Sequence, residues 1–164
     1  MFIGDCGEVS IESVYLLKDL YTSTSYNLGW PVFEGALRNN EDPLMLQDTL
    51  APIYEYKHSP YVGHCVIGGY YLDHLEMYLF GDFSGILRLI KQQRDGTWRE
   101  VYFQRVPMDI WSFGYNEGTK QLFISSSSNI FELKMPTEQT NIRPHVTLCK
   151  TTMPDGTINN SDCL

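Results

Sequence analysis

The stretch VGHCVIGGYYLDHLEMYLFGDFSGILRLI, residues 62–90, decides the fold. Aromatic and β-branched residues alternate along it, and Gly or Asp interrupts them at short intervals. A period of two sends successive side chains to opposite faces, so the stretch reads as antiparallel strands joined by tight turns. Strands are expected near 64–72, 76–82, 85–92 and 97–104. Asp95-Gly96 supplies the last hairpin turn, because both residues tolerate positive φ. A second unit follows in DIWSFGYNEGTKQLFISSSSNIFELK, residues 109–134, with strands at 109–114, 121–126 and 129–134. Its fourth strand is missing locally, and propellers often take that strand from the other end of the chain to close the ring. The expected class is therefore all-β, a partial β-propeller of about two to three blades.

Working outward, residues 11–17 and 52–56 each read as a strand. The polar stretch 18–27 leads into Gly29-Trp30-Pro31, where Gly turns the backbone and Pro ends strand pairing. Residues 35–51 have no strand period and cluster Asn, Asp and Pro at 39–43, so they read as a long projecting loop with at most one helical turn. Beyond Pro136 the chain is polar and punctuated by Pro. The expected organisation is a blade-forming region over 1–135 and a polar tail over 136–164. A blade consumes about 40–50 residues and a ring needs typically four to eight blades. An open arc exposes apolar blade faces, so the chain is expected to be a fragment of a longer polypeptide, or to be completed by a protein partner or its own copies.

Hydrophobic residues make up 43% of the 164, enough for one core, and low-complexity disorder is excluded. A net charge of −8 leaves no basic stripe to neutralise phosphates, so nucleic acid and anionic membranes are excluded as partners. No apolar run approaches the roughly 18–20 residues that span a bilayer. The N-terminus lacks the basic start and apolar core of a leader peptide, so a secreted form would carry its leader upstream of Met1.

Cys6, Cys65, Cys149 and Cys163 show no Cys-x-x-Cys pair and no His at finger spacing, which argues against structural zinc. All four are disulfide candidates. Cys149–Cys163 would close a short loop over the tail, while Cys6 and Cys65 read equally well as buried free thiols. Four cysteines allow three pairings, and sequence does not choose among them. Asn159-Asn160-Ser161 is a glycosylation sequon at Asn159.

No catalytic or cofactor-binding residue is assigned. His58, His64 and His74 are spaced by six and ten, which fits neither a strand pair nor a helix pair, and they read as surface or turn histidines. His145 lies in the tail. Asp5, Glu8, Asp82 and Asp109 stand by strand ends where calcium sites form, but turn capping is the reading for Asp5 and Asp82. Hydrolase elbows, dinucleotide fingerprints and phosphate loops are absent. Trp30 and Trp111 are expected to be buried between blades.

The strings GDCGEVSIESVYLL, YNLGWPVFEG, PIYEYKHS, CVIGGYYL, MYLFGDFSGILRLI and ISSSSNIFELK occur in that order over residues 2–135. They resemble the C-terminal part of the glucose/sorbosone dehydrogenase family, and more closely its secreted, Hedgehog-interacting-protein-like animal group. The resemblance implies a six-bladed ring. It also implies one of two functions. The first is a secreted, non-catalytic, disulfide-bonded glycoprotein module that binds through its loops. The alternative is part of a sugar dehydrogenase using pyrroloquinoline quinone (PQQ) with calcium, which makes calcium a candidate cofactor. In the quinone-dependent members the base histidine comes from earlier blades, and a late blade sets arginines against the cofactor's carboxylates. The corresponding Met108–Gly114 here has no arginine and carries Asp109. The non-catalytic reading is preferred, with the 35–51 loop and the 57–63 turn as binding surfaces and Lys57, His58, Tyr61 and His64 as their candidate contacts.

Overall fold

A computed structural model describes residues 1–21, 25–39 and 48–135, and the backbone of 147–150. The described residues are all-β, without helix. At the centre lies a meander of β6 (Val66–Leu72), β7 (Met77–Asp82), β8 (Ile86–Gln92) and β9 (Trp98–Arg105), antiparallel and paired in chain order. These strands start and stop within two residues of the expected positions. Gly96 takes φ 85° in the last turn, and the Asp95 carboxylate accepts from the Thr97 amide at 3.0 Å. Between β6 and β7 the register slips after Ile67. The bulge needs Gly69, since a Cβ there would stand 1.9 Å from the Leu79 carbonyl oxygen.

A second four-stranded sheet comprises β10 (Ser112–Asn116), β11 (Gln121–Ser125), β12 (Ile130–Lys134) and β13 (Thr147–Lys150). Its fourth strand was expected to be missing locally, and β13 corrects that. It pairs antiparallel with β12 from Phe131↔Lys150 to Lys134↔Thr147. Backbone hydrogen bonding to an open edge needs no apolar run, so a polar segment read as tail supplies the strand. The rest of 136–164, with Cys163 and Asn159, lies outside the described residues, as does the side chain of Cys149.

The first sheet is β1-β2-β5, from Phe2–Asp5, Ile11–Leu16 and Tyr54–Lys57. β1 was not anticipated. Between β2 and β5 a small hairpin pairs β3 (Phe33–Glu34) with β4 (Leu37–Arg38), so the expected 35–51 loop begins as a strand; residues 40–47 lie outside the description. None of the four sheets closes on itself.

Burial of the inner strands β7 and β8 on both faces holds these parts together. Leu72, Leu79, Leu87 and Leu89 on one face pack with Ile110, Leu122, Ile124, Phe131 and Leu133 of the β10–β13 side. On the other face Val66, Tyr78, Phe80 and Ile90 meet Val14 and Tyr56 of the first sheet, with Phe2 stacked on Tyr78 at 4.2 Å. Strands buried on both faces read as continuous apolar runs, as MYLFG and ILRLI do. Each fully buried Leu, Ile or Phe contributes about 1.5–3 kcal/mol of transfer free energy. The tryptophans depart from expectation. Trp30 and Trp111 are 57% and 56% exposed, because both sit in connections outside the faces that sheets cover. Trp98, at the start of β9, is the half-buried one, edge-on to Phe2 at 5.4 Å.

Entry into β2 depends on Glu34. Its carboxylate Oε1 accepts from the amides of Val9, Ser10 and Ile11 at 2.9, 2.7 and 3.0 Å. Burial alone would raise the Glu34 pKa, but these amides and the Asn39 side chain outweigh it and hold the carboxyl at about 2, below its ordinary 4.5. A depressed carboxyl stabilises the fold at pH values above its unfolded value, and that contribution is lost as pH falls from about 4.5 towards 2. In urea titrations, Glu34→Gln is expected to unfold at lower urea at pH 7, and to lose less stability than wild type between pH 5 and 3.

Candidate interaction surface

The 59–63 turn closes on itself. Ser59 and Gly63 exchange backbone hydrogen bonds at 2.9 and 3.0 Å, and the Ser59 hydroxyl accepts from the amides of Tyr61 and Val62 at 3.3 and 3.0 Å. Ser is suited to this because its short side chain reaches the amides two and three residues on. Tyr61 stands at the tip, 83% exposed.

Three buried or anchored groups lock the turn from behind. Asp82, fully buried at the end of β7, accepts from the Tyr56 hydroxyl at 2.6 Å and from the amides of His64 and Cys65 at 2.9 and 3.0 Å. Its other oxygen takes the Ser84 amide and hydroxyl at 2.8 and 2.6 Å. Burial, and after it the hydrogen bond to Asp82, pushes the Tyr56 phenol far above its ordinary value, so it remains a donor. Gly63 makes this approach feasible. Its φ is 118°, and a Cβ there would lie 2.3 Å from Asp82 Oδ2.

Arg88 is the second lock. It lies in the middle of β8, 2% exposed, with its guanidinium 4.3 Å from the Tyr56 ring centre and 4.8 Å from that of Phe103. It donates to the Val62 carbonyl, to Glu100 and, at 3.3 Å, to the Tyr54 hydroxyl. A buried cation is tolerated only when paired in this way, yet its Nε finds no acceptor. Arg105 is the third lock, donating to the carbonyls of Pro60, Tyr61 and Ser84 at 3.0, 3.3 and 3.0 Å. It ties the turn to the β7–β8 connection.

Beside the turn runs a row of exposed rings. His64 meets Phe83 edge-on at 6.4 Å, and Phe83 tilts against Trp111 at 6.2 Å. The Trp111 indole N–H donates to Asp109, and this hydrogen bond is the main reason the exposed carboxyl lies below its ordinary range. The result is a row of exposed rings with the Asp109 carboxylate at its edge.

The four sequence-predicted contacts therefore fare differently. Tyr61 and His64 are displayed, and Lys57 ends β5 exposed. His58 is turned inward, with Nε2 2.5 Å from Glu12 Oε1 and a side chain only 20% exposed. Of the carboxylates considered for calcium, Asp82 is saturated by amides and hydroxyls. Asp5 is the last residue of β1, opposite Ser13 of β2, and Asp109 is engaged by Trp111. No group of three or more His, Cys, Asp or Glu is placed to hold a metal among the described residues. The cations Arg88 and Arg105 are spent on internal acceptors.

Sequence reasoning missed Arg88, Arg105 and Phe83, and read Trp111 as buried where it is exposed. For Arg88 a signal existed, namely one arginine inside the apolar run ILRLI. A separate cleft of about 800 Å³ between β6 and the β10–β13 sheet is lined by Tyr70, His74 and Tyr115. Its lysines pair with its own glutamates, Lys120 with Glu117 and Lys134 with Glu132, which weakens it as a ligand site. No protein family, curated protein or solved structure matches the chain.

Asp82→Asn keeps the shape but turns an NH2 towards amide donors. It is expected to cost about 2–4 kcal/mol in urea unfolding, and to release the 59–63 turn, read as faster amide exchange at His64 and Cys65.

Proposed function

We propose that the chain supplies blades of a secreted propeller similar to the Hedgehog-interacting-protein-like group, part of a longer polypeptide, and acts as a non-catalytic binding module. Its partner is a protein that docks on Tyr61, Phe83 and Trp111. The observation that carries this reading is the central sheet, covered face to face by one sheet on each side, with β6 adjacent to both β1 and β10. Successive meanders packed as wedges with neighbouring first strands are how blades meet around an axis. Among the described residues the β10–β13 sheet packs on another sheet through one face only, which favours further blades or a partner. The aromatic patch supports binding over catalysis, since it offers rigid anchors and no free acid–base pair.

The dehydrogenase alternative is tested by incubating the protein with PQQ, calcium, an aldose and a redox dye. No dye reduction is expected, and turnover would overturn the proposal. The binding role is tested by passing conditioned medium over immobilised wild type and a Tyr61→Ser/Trp111→Ser variant with an unchanged melting midpoint. A protein retained by the first and lost by the second is expected. Equal retention by both would remove the patch from the argument.

A further inference from the structure

Cys6 follows β1 and Cys65 precedes β6, so the two stand on opposite sides of the seam between the first sheet and the central one. Cys65 is near enough to Cys6 to contribute to the rise in its pKa. Glu12, fully buried on β2, fixes that approach. Its Oε1 accepts from the Gly7 amide at 3.3 Å and from the Cys6 thiol at 3.9 Å, and its Oε2 from the Val66 amide at 2.6 Å. The residue after each cysteine is thus held by the same carboxylate, and His58 braces that carboxylate from its other side. Gly7 is required here, because a Cβ would lie 1.9 Å from the Ile11 carbonyl oxygen.

We propose that Cys6 and Cys65 form a disulfide that staples the first sheet to the central one. The oxidant is a low-molecular-weight disulfide such as glutathione disulfide. One protein thiolate attacks it and releases one glutathione. The second protein thiol, as thiolate, then attacks the mixed disulfide and releases the other. Two protein thiols lose two protons and two electrons, and one glutathione disulfide becomes two glutathiones. Cys6 is exposed and Cys65 half-buried, so a small oxidant reaches them. In the folded dithiol, burial pushes the Cys6 thiol up, and Cys65 and the Glu12 charge add to this. Such a thiol is a slow nucleophile and a poor leaving group. The bond would cross the seam that the Glu12 carboxylate already spans. It is a structural staple and not a switch, and it holds whether or not the sheets belong to a propeller.

The full chain, refolded from urea in a buffer of reduced and oxidised glutathione, is digested without reduction and mapped by mass spectrometry. A Cys6–Cys65 linked peptide is expected, together with a melting midpoint roughly 5–10 °C above that of the same protein after reduction. Both results are expected to persist in Cys149→Ser/Cys163→Ser and to vanish in Cys6→Ser. Because oxidised and reduced wild type are compared directly, poor folding of a variant leaves the test intact. Full alkylation of Cys6 and Cys65, pairing of either with Cys149 or Cys163, or a link without a rise in midpoint would overturn the assignment.

Discussion

Two-sided burial of β7 and β8, the inner strands of the central sheet, is the constraint on which the described structure depends. A sheet covered on one face tolerates a polar outer row, but strands covered on both must fill their positions with apolar side chains or with polar ones partnered inside. Leu79, Leu87 and Leu89 point one way and Tyr78, Phe80 and Ile90 the other, all buried. A slip of one residue in β7 or β8 would exchange these sets and mismatch both seams together. The flanking sheets are thus positioned by the central one.

Apolar contact alone is poor at fixing how two sheets slide past each other. At the seam between the first sheet and the central one, buried charge does that work. Glu12 reaches across to the Val66 amide, Tyr56 to Asp82, and Arg88 to Tyr54 and the Val62 carbonyl. Each charged group is matched to partners that come into place at one relative position of the sheets. Removing one partner would strand a charge in a dry environment, which is costlier than losing an ordinary contact. The other seam, lined by Leu122, Ile124 and Leu133, lacks such cross-links among its buried residues and relies on shape.

What was legible in sequence follows the same division. The central strands and turns could be read because alternation, Gly and Asp act locally, and Asp95-Gly96 shows it. β13 could not, since pairing with an open edge is decided by the neighbour and not by composition. β1 is too short to carry a period. Burial of Trp30 and Trp111 was inferred from residue type, yet exposure depends on which connections other elements cover. At the surface, Tyr61 and His64 were legible as turn residues with display potential. His58 was not separable from them, because its partner Glu12 is 46 positions away in the chain; the anchors that immobilise the turn, Asp82, Arg88 and Arg105, also lie 18, 26 and 45 positions from the groups they hold.

That immobilisation has a thermodynamic consequence. A tip loop that fluctuates freely must be frozen when something lands on it, and the entropy lost subtracts from the attraction gained. Here Ser59, Asp82, Arg88 and Arg105 have already removed that freedom from the backbone that carries the phenol ring. Little of its contact energy is spent on ordering. Under the proposed binding role, its contribution would show as a long residence time, with the encounter rate almost indifferent to whether the ring is there.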